Sequence, residues 1–243
     1  MINHFNELTK TLEPLNRKHD LAKVFNDLLT MGICTFHRTN IHSRLQANDE
    51  LNETLYMETI KPYKRDDLNA LGQALGILQH NVLDNPYSDI LGEFFMQHIT
   101  KRQNGQYFTP EPVCTFMATI NGLDTKREGQ RILDPACGSG RMLLSAAKLN
   151  HRNYFFGADS SNTCAKMSTL NFFLNGLNGE VAWMNSLTME WYGSWHINTN
   201  GIGIIPIEKE QSMIWTEAPK PKAAEVMNTG KAKTEPAQQL TLF

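Results

Sequence analysis

The chain has 243 residues, 41% of them apolar and 20% charged, with a formal net charge of -2. That length can bury one sizeable core, or a helical unit beside one α/β unit. The charge argues against a surface that grips a nucleic-acid backbone everywhere by releasing counterions, so any such contact is local or comes from a partner. The longest apolar runs, Val181 to Met184 and Ile202 to Ile207, fall far short of the roughly 20 residues that a membrane-spanning helix needs. The opening Met-Ile-Asn-His-Phe-Asn-Glu has neither the basic start nor the apolar stretch of a secretory signal, which sets a cytoplasmic location as the expectation. Cys34, Cys114, Cys137 and Cys164 lie far apart with no Cys-x-x-Cys pair, so reduced thiols are expected rather than a zinc site or a disulfide framework.

Residues 1 to about 100 read as a helical region. Leu21, Val24, Phe25, Leu28 and Leu29 recur at helical spacing, as do Leu68, Leu71, Leu75 and Leu78. Asp89 to His98 is a third candidate helix, and the polar run Thr100 to Gly105 marks a boundary. From there to about residue 215 the pattern is that of a second domain, in which strand-like and helical segments alternate as in a parallel βαβ sheet. Thr109-Pro110-Glu111 begins a helix as a capping threonine with proline in the first turn does. That helix carries Val113, Phe116, Met117 and Ile120 on one face. Arg131 to Asp134, Tyr154 to Ala158 and Glu180 to Met184 read as strands; Gly140 to Leu149 and Asn162 to Leu174 read as helices. Beyond Asn185 the signal weakens, with Trp191, Trp195 and Ile202 to Ile207 suggesting one more strand. Residues 216–243 turn to Lys, Pro, Ala, Glu and Thr without apolar periodicity, the composition of a disordered tail.

The sharpest local signal is Asp134-Pro135-Ala136-Cys137-Gly138-Ser139-Gly140, which joins a strand to a helix. Gly138 and Gly140 allow a tight turn and leave no side chain where a ligand approaches the backbone, while Asp134 stands at the carboxyl end of its strand, the edge at which open α/β sheets bind ligands. No lysine follows the glycines, which excludes a nucleoside-triphosphate loop of the usual kind. Asp159, at the end of the next strand, stands where an acid takes ribose hydroxyls in such folds; a helix-capping duty next to Ser160, Ser161 and Asn162 is the alternative. A glycine turn that merely packs helix on strand is the plain alternative for the loop itself. Cys137 is separated from Pro135 by Ala136 and reads as a small buried loop residue.

Gly105-Gln-Tyr-Phe-Thr-Pro110 followed by Asp134-Pro-Ala-Cys-Gly-Ser-Gly-Arg-Met-Leu143 resembles the modification subunit of type I restriction-modification systems, within the N6-adenine DNA methyltransferases. The resemblance spans residues 85–187 or so. It implies an α/β fold of S-adenosylmethionine-dependent methyltransferase (Rossmann-like) type, here with an incomplete sheet, and S-adenosylmethionine as cofactor. It also implies cofactor-binding roles for Tyr107, Thr109 and Pro110 over the methionine end, for Asp134, Gly138 and Gly140 in the loop, for Asp159 at the ribose, and for Asn185 at the adenine amino group. DNA, met together with a partner subunit, is the implied substrate. The tail ends in Gln239-Leu240-Thr241-Leu242-Phe243, which resembles the peptide by which bacterial DNA-processing proteins dock on the sliding clamp.

One departure from the family pattern is large. Adenine methylation there uses an Asn/Asp/Ser-Pro-Pro-Tyr/Phe tetrapeptide after the fourth strand, yet the corresponding stretch reads Asn198-Thr-Asn-Gly-Ile-Gly-Ile-Ile-Pro-Ile207. Asp84-Asn85-Pro86-Tyr87 lacks the second proline and reads as a turn before a helix. No catalytic residue is therefore assigned. Two readings remain open: an adenine N6-methyltransferase, or a catalytically silent cofactor-binding subunit or decoy associated with DNA or the clamp.

Overall fold

Buried apolar residues at helical spacing organise the amino-terminal region of the computed structural model, which describes residues 3–37, 49–100, 108–120, 127–199, 201–214 and 241–242. Helix α1 (His4–Leu12) is capped by the Asn3 side chain and buries Leu8 and Leu12 before a 3₁₀ turn over Glu13–Arg17. Helix α2 (Leu21–Thr35) starts on Asp20, whose carboxylate accepts the Lys23 N–H, and the expected Val24, Phe25, Leu28 and Leu29 are fully buried. Helix α3 (Glu50–Ile60), by contrast, buries none of its residues. Helix α4 (Arg65–Asp84) buries Leu71, Ala74 and Leu78. Helix α5 (Ile90–Phe94) is capped by Asp89 and continues as a π-helical turn over Phe95–Ile99.

Helix α6 (Glu111–Ile120) corrects the expected start of the helix. The Pro110 carbonyl accepts the Val113 and Cys114 N–H groups, so the helix begins one residue later than Thr109-Pro110 suggests. Its buried side is Cys114 and Ala118, whereas Val113, Phe116 and Ile120 are exposed. The small side chains let α6 pack closely on α7 (Arg141–Leu149), and the larger residues are turned away.

Strands β1 (Arg131–Asp134), β2 (Tyr154–Asp159) and β3 (Asn178–Asn185) are parallel neighbours joined by α7 and by α8 (Asn162–Leu174). After Asn185 the chain turns back instead of crossing over. Strand β4 (Glu190–Ile197) runs antiparallel to β3, and β5 (Ile204–Ile207) antiparallel to β4, so two strands stand where one was expected. Strand β6 (Thr241–Leu242) lies parallel to the outer edge of β1, giving the order β5-β4-β3-β2-β1-β6. Among the described residues, no helix is long and apolar enough to cross a membrane.

Helix α8 joins the helical region to the sheet. Cys164, Met167 and Leu170 pack with α2, α4 and α5 side chains, while Ala165 and Phe172 pack with Ile132, Phe155 and Val181 of the sheet. Half-buried Lys166 donates from its ammonium to Asn26 Oδ1 (3.3 Å) and Thr30 Oγ1 (2.9 Å) of α2, and its partial burial lowers its pKa. With one side packed on the helices and another on the sheet, α8 fixes the sheet relative to the helices.

Candidate cofactor pocket

Strand register places the acidic residues. Asp134 pairs with Gly157, and Asp159, two residues further along β2, pairs with Trp183 of β3. Paired residues, and residues two apart, point to the same side of a sheet, so Asp134, Asp159 and Trp183 share one face at the carboxyl ends of β1, β2 and β3. The Trp183 indole donates to the Ser160 carbonyl at 3.1 Å and its ring lies 5.0 Å from that of Tyr192, forming an aromatic wall beside Asp159.

Between these acids runs the loop. Gly138 and Gly140 have φ of +55° and +83°, conformations that an L side chain rarely adopts. A Cβ on Gly138 would stand 2.8 Å from the Phe108 ring, and one on Gly140 2.9 Å from Ser168 Oγ. The loop is held on every side: the Cys137 N–H donates to the Ala158 carbonyl (2.9 Å), the Gly138 N–H to Asp159 Oδ2 (2.9 Å), and Ser168 Oγ to the Gly138 carbonyl (3.0 Å). Gly140 provides no side-chain cap for α7, so the first-turn amides and the positive end of the helix dipole suit an anionic group. Cys137 is buried against Ser168, and burial pushes its thiol pKa well up, which makes it inert. All four cysteines are free and buried.

The two carboxylates sit uneasily without a cation. Burial raises the pKa of Asp134, opposed by the Ala136 amide and reinforced by the charge of Asp159. Burial also raises that of Asp159, opposed by the Ser161 and Gly138 amides. Asp159 does not cap α8; Ser161 does, accepting the Cys164 N–H, and Asp159 braces the glycine loop. Each Asp159 oxygen has one amide partner in the structure, which leaves further acceptor capacity for hydroxyl groups. Among the described residues no group of His, Cys, Asp and Glu could hold a metal ion.

Sequence reading missed the side chain on which the loop rests. Asp89 caps α5 through its Oδ1, which accepts from the Gly92 N–H (2.8 Å) and from Asn171 Nδ2 (2.9 Å); its Oδ2 accepts from Ser139 Oγ (2.5 Å) and Arg141 Nε (2.9 Å). Four donors fill the four acceptor positions of one buried carboxylate. Asn171 Nδ2 also reaches the Ser139 carbonyl at 2.8 Å. The capping position of Asp89 was legible as the start of a helix, but the long-range partners 50 and 52 positions away were not.

Arg141 also donates to the Thr109 carbonyl (3.4 Å), so exposed Thr109 and Pro110 stand at the start of α7, while Tyr107 lies outside the described residues. Asn185 ends β3 beside the loop, where its neighbour Ser186 donates to the Pro135 carbonyl at 2.6 Å. Its Oδ1 accepts the Leu187 and Thr188 N–H groups in the turn to β4. Tyr87 of the Asp84 to Tyr87 stretch is a left-handed turn residue (φ 65°) whose N–H donates to Asn175 Oδ1, as befits a turn before a helix. The described residues of the 198–207 stretch follow β4 and include β5, on the opposite side of β3 from β1 and away from the pocket. Of the clamp-like peptide, Gln239, Leu240 and Phe243 lie outside the described residues, and Thr241 and Leu242 are taken up as β6. The relatives reported below lend the clamp expectation no support.

The first two strands of this α/β sheet end in facing acids across a glycine loop, at the carboxyl edge where open α/β sheets bind ligands. Residues 79–218 match the N-6 DNA Methylase family, and the chain belongs to that family. Similar curated proteins are the type I restriction enzyme MjaVII and MjaVIII methylase subunits of Methanocaldococcus jannaschii. The first is 24% identical over 175 residues, covering 67% of this chain and 29% of that protein; the second is 24% identical over 174 residues, covering 68% and 28%. The chain thus spans under a third of the length of these relatives. Among solved structures, it is similar to a Listeria monocytogenes protein described as a class I S-adenosylmethionine-dependent methyltransferase (14% identity, TM-score 0.45, 76% of this chain and 53% of that one). It is also similar to a type I restriction-modification methyltransferase subunit from Streptococcus thermophilus (15% identity, TM-score 0.37, 72% and 56%).

Two expected outcomes follow from these bonds. A carboxyl whose pKa is raised on folding above the ordinary 3.8 costs stability as pH rises from 3.8 through the folded value, and the cost persists at neutral pH. Asp134→Asn keeps an acceptor for the Ala136 N–H, so the ligand-free variant should melt higher than wild type at pH 7 and indistinguishably from it near pH 3; a lower melting temperature at pH 7 contradicts the electrostatic account. Asp89→Ala strands the Arg141 charge and several donors, and denaturant unfolding should show a loss of about 3 kcal/mol. Asp89→Asn, which keeps an acceptor for Gly92, should lose less. An Asp89→Ala loss below about 1 kcal/mol would remove Asp89 from its central place.

Proposed function

We propose that this chain supplies the S-adenosylmethionine site of an adenine N6 DNA methyltransferase of the type I modification kind, and that methyl transfer proceeds only in an assembly with further residues. The carrying observation is the pair Asp134 and Asp159 on one sheet face, bridged by the Asp159 bond to the Gly138 amide. S-adenosylmethionine is the cofactor that family membership implies, and the residues present fit it. Two carboxylates with raised pKa values favour a ligand bearing a sulfonium and an ammonium. The uncapped start of α7 suits its carboxylate, the spare acceptor capacity of Asp159 suits ribose hydroxyls, and Trp183 offers a flat wall to the adenine. The cofactor supplies an electrophilic methyl group.

In the same reading Tyr107, Thr109 and Pro110 close over the methionine end. Asn185 meets the cofactor's adenine through its carboxamide nitrogen, because its oxygen already accepts two turn amides. It therefore donates to a ring nitrogen and does not accept from the amino group. The target base in DNA needs acceptors for its amino hydrogens and an aromatic ring to stack on. The Asn198 to Ile207 stretch stands at the wrong edge of the sheet to supply them, so a partner subunit provides them together with DNA contacts. Four buried thiols accord with a reducing cytoplasm.

Incubation of the purified chain with methyl-labelled cofactor and mixed-sequence DNA should leave adenine unlabelled. Adding lysate from its host should place label on adenine N6, and Asp134→Ala should abolish that label. Labelling of adenine by the purified chain alone would overturn the need for an assembly.

A further inference from the structure

We infer that the outer edge of β1 is a strand-acceptor site which this chain fills in cis with its own carboxyl-terminal segment. On its inner side all four β1 residues pair with β2, Arg131 with Tyr154 through Asp134 with Gly157. On its outer side, among the described residues, Ile132 and Leu133 pair with Thr241 and Leu242 in parallel register. Backbone groups left along an edge make it a template for any compatible strand. This edge adjoins the cofactor loop, since Asp134 is the next residue after Leu133.

The route of the chain supports an intramolecular occupant. Glu180, fully buried in β3, accepts from Ser212 Oγ (2.5 Å) and from the Met213 N–H (2.7 Å). The Arg131 guanidinium donates to the Met213 carbonyl at 3.4 Å. These bonds lay the chain, at residue 213, across the sheet face over β2 and β3, with the Arg131 guanidinium over the Phe156 ring and Ile214 packed on Ala158, Ala182 and Met184. Residues 215–240, 26 in number, then separate Ile214 from Thr241. A chain of that length can span the return, and the entropic cost of closing it grows only slowly with length. The last residues, Gln-Leu-Thr-Leu-Phe, have the apolar and β-branched character that suits pairing to an edge.

The consequence is competition at one place. In a doubly wound sheet the ligand crevice opens where strand order reverses, and the strand beyond β1 carries its following residues to the rim of the pocket. While residues 241–242 hold that position, a strand from another chain cannot pair with β1 until they leave.

Hydrogen–deuterium exchange on the full chain tests this independently of any cofactor. Removal of residues 241–243, and separately Leu242→Pro in the full-length chain, should each speed exchange of the outward-facing β1 amides by roughly tenfold or more, with β2 and β3 amides unchanged. A synthetic peptide of residues 237–243 added to the truncated chain should restore protection. Unchanged β1 exchange in both variants would overturn the acceptor site. Protection in wild type that falls on dilution, together with a dimer by light scattering, would overturn the cis occupant in favour of a second copy.

Discussion

The carboxylate of Asp89 is the constraint on which the pocket depends. It belongs to the helical region as the cap of α5, yet two of its four donors, Ser139 and Arg141, lie in or next to the glycine loop. A third, Asn171, lies on α8 and also grips the Ser139 carbonyl. A buried carboxylate is tolerable only when its acceptor positions are filled, and here the filling groups come from three separate elements. The loop conformation is therefore set jointly by the helices and the sheet, and the helical region acts as a brace for the pocket.

A second tension lies across the loop. Asp134 and Asp159 are both desolvated, and each is disfavoured as an anion. Their strain is offset only in part by the amides of Ala136, Ser161 and Gly138. Such an arrangement costs stability in the ligand-free protein and is relieved by a bound cation, which is how binding sites come to be less stable than they could be. The order of the sheet completes the picture: strands with acids stand on one side of the reversal point, and the far side is met by two residues of β6 alone among the described residues.

Much of this was legible in the sequence, for local reasons. Strands β1 to β3 and helices α7 and α8 lie within two residues of where periodicity and the glycine loop put them, because apolar runs and caps are local signals. The convergence of Asp134, Gly138, Gly140 and Asp159 followed from their places at strand ends. The direction of β4 was not legible, since nothing in Glu190 to Ile197 encodes which neighbour it pairs with or whether the chain crosses over first. The apolar stripe of α6 was legible, but not whether it faces core or solvent; the buried side is that of small Cys114 and Ala118, which allow close approach to α7. Asp89 escaped notice because a capping aspartate looks the same whether its second oxygen meets water or a loop 50 residues on.

The central claim is that the Asp134 to Gly140 loop, braced by Asp89 and faced by Asp159, is an S-adenosylmethionine pocket. Calorimetric titration of the full chain with S-adenosylmethionine at pH 8 and again near the ordinary carboxyl value of 3.8 tests it most directly. The account predicts one-to-one binding that weakens at the lower pH, as the two acids with raised pKa values take up protons, and that is lost in Asp134→Ala. Absence of heat at near-millimolar cofactor, or binding indifferent to Asp134, would contradict it.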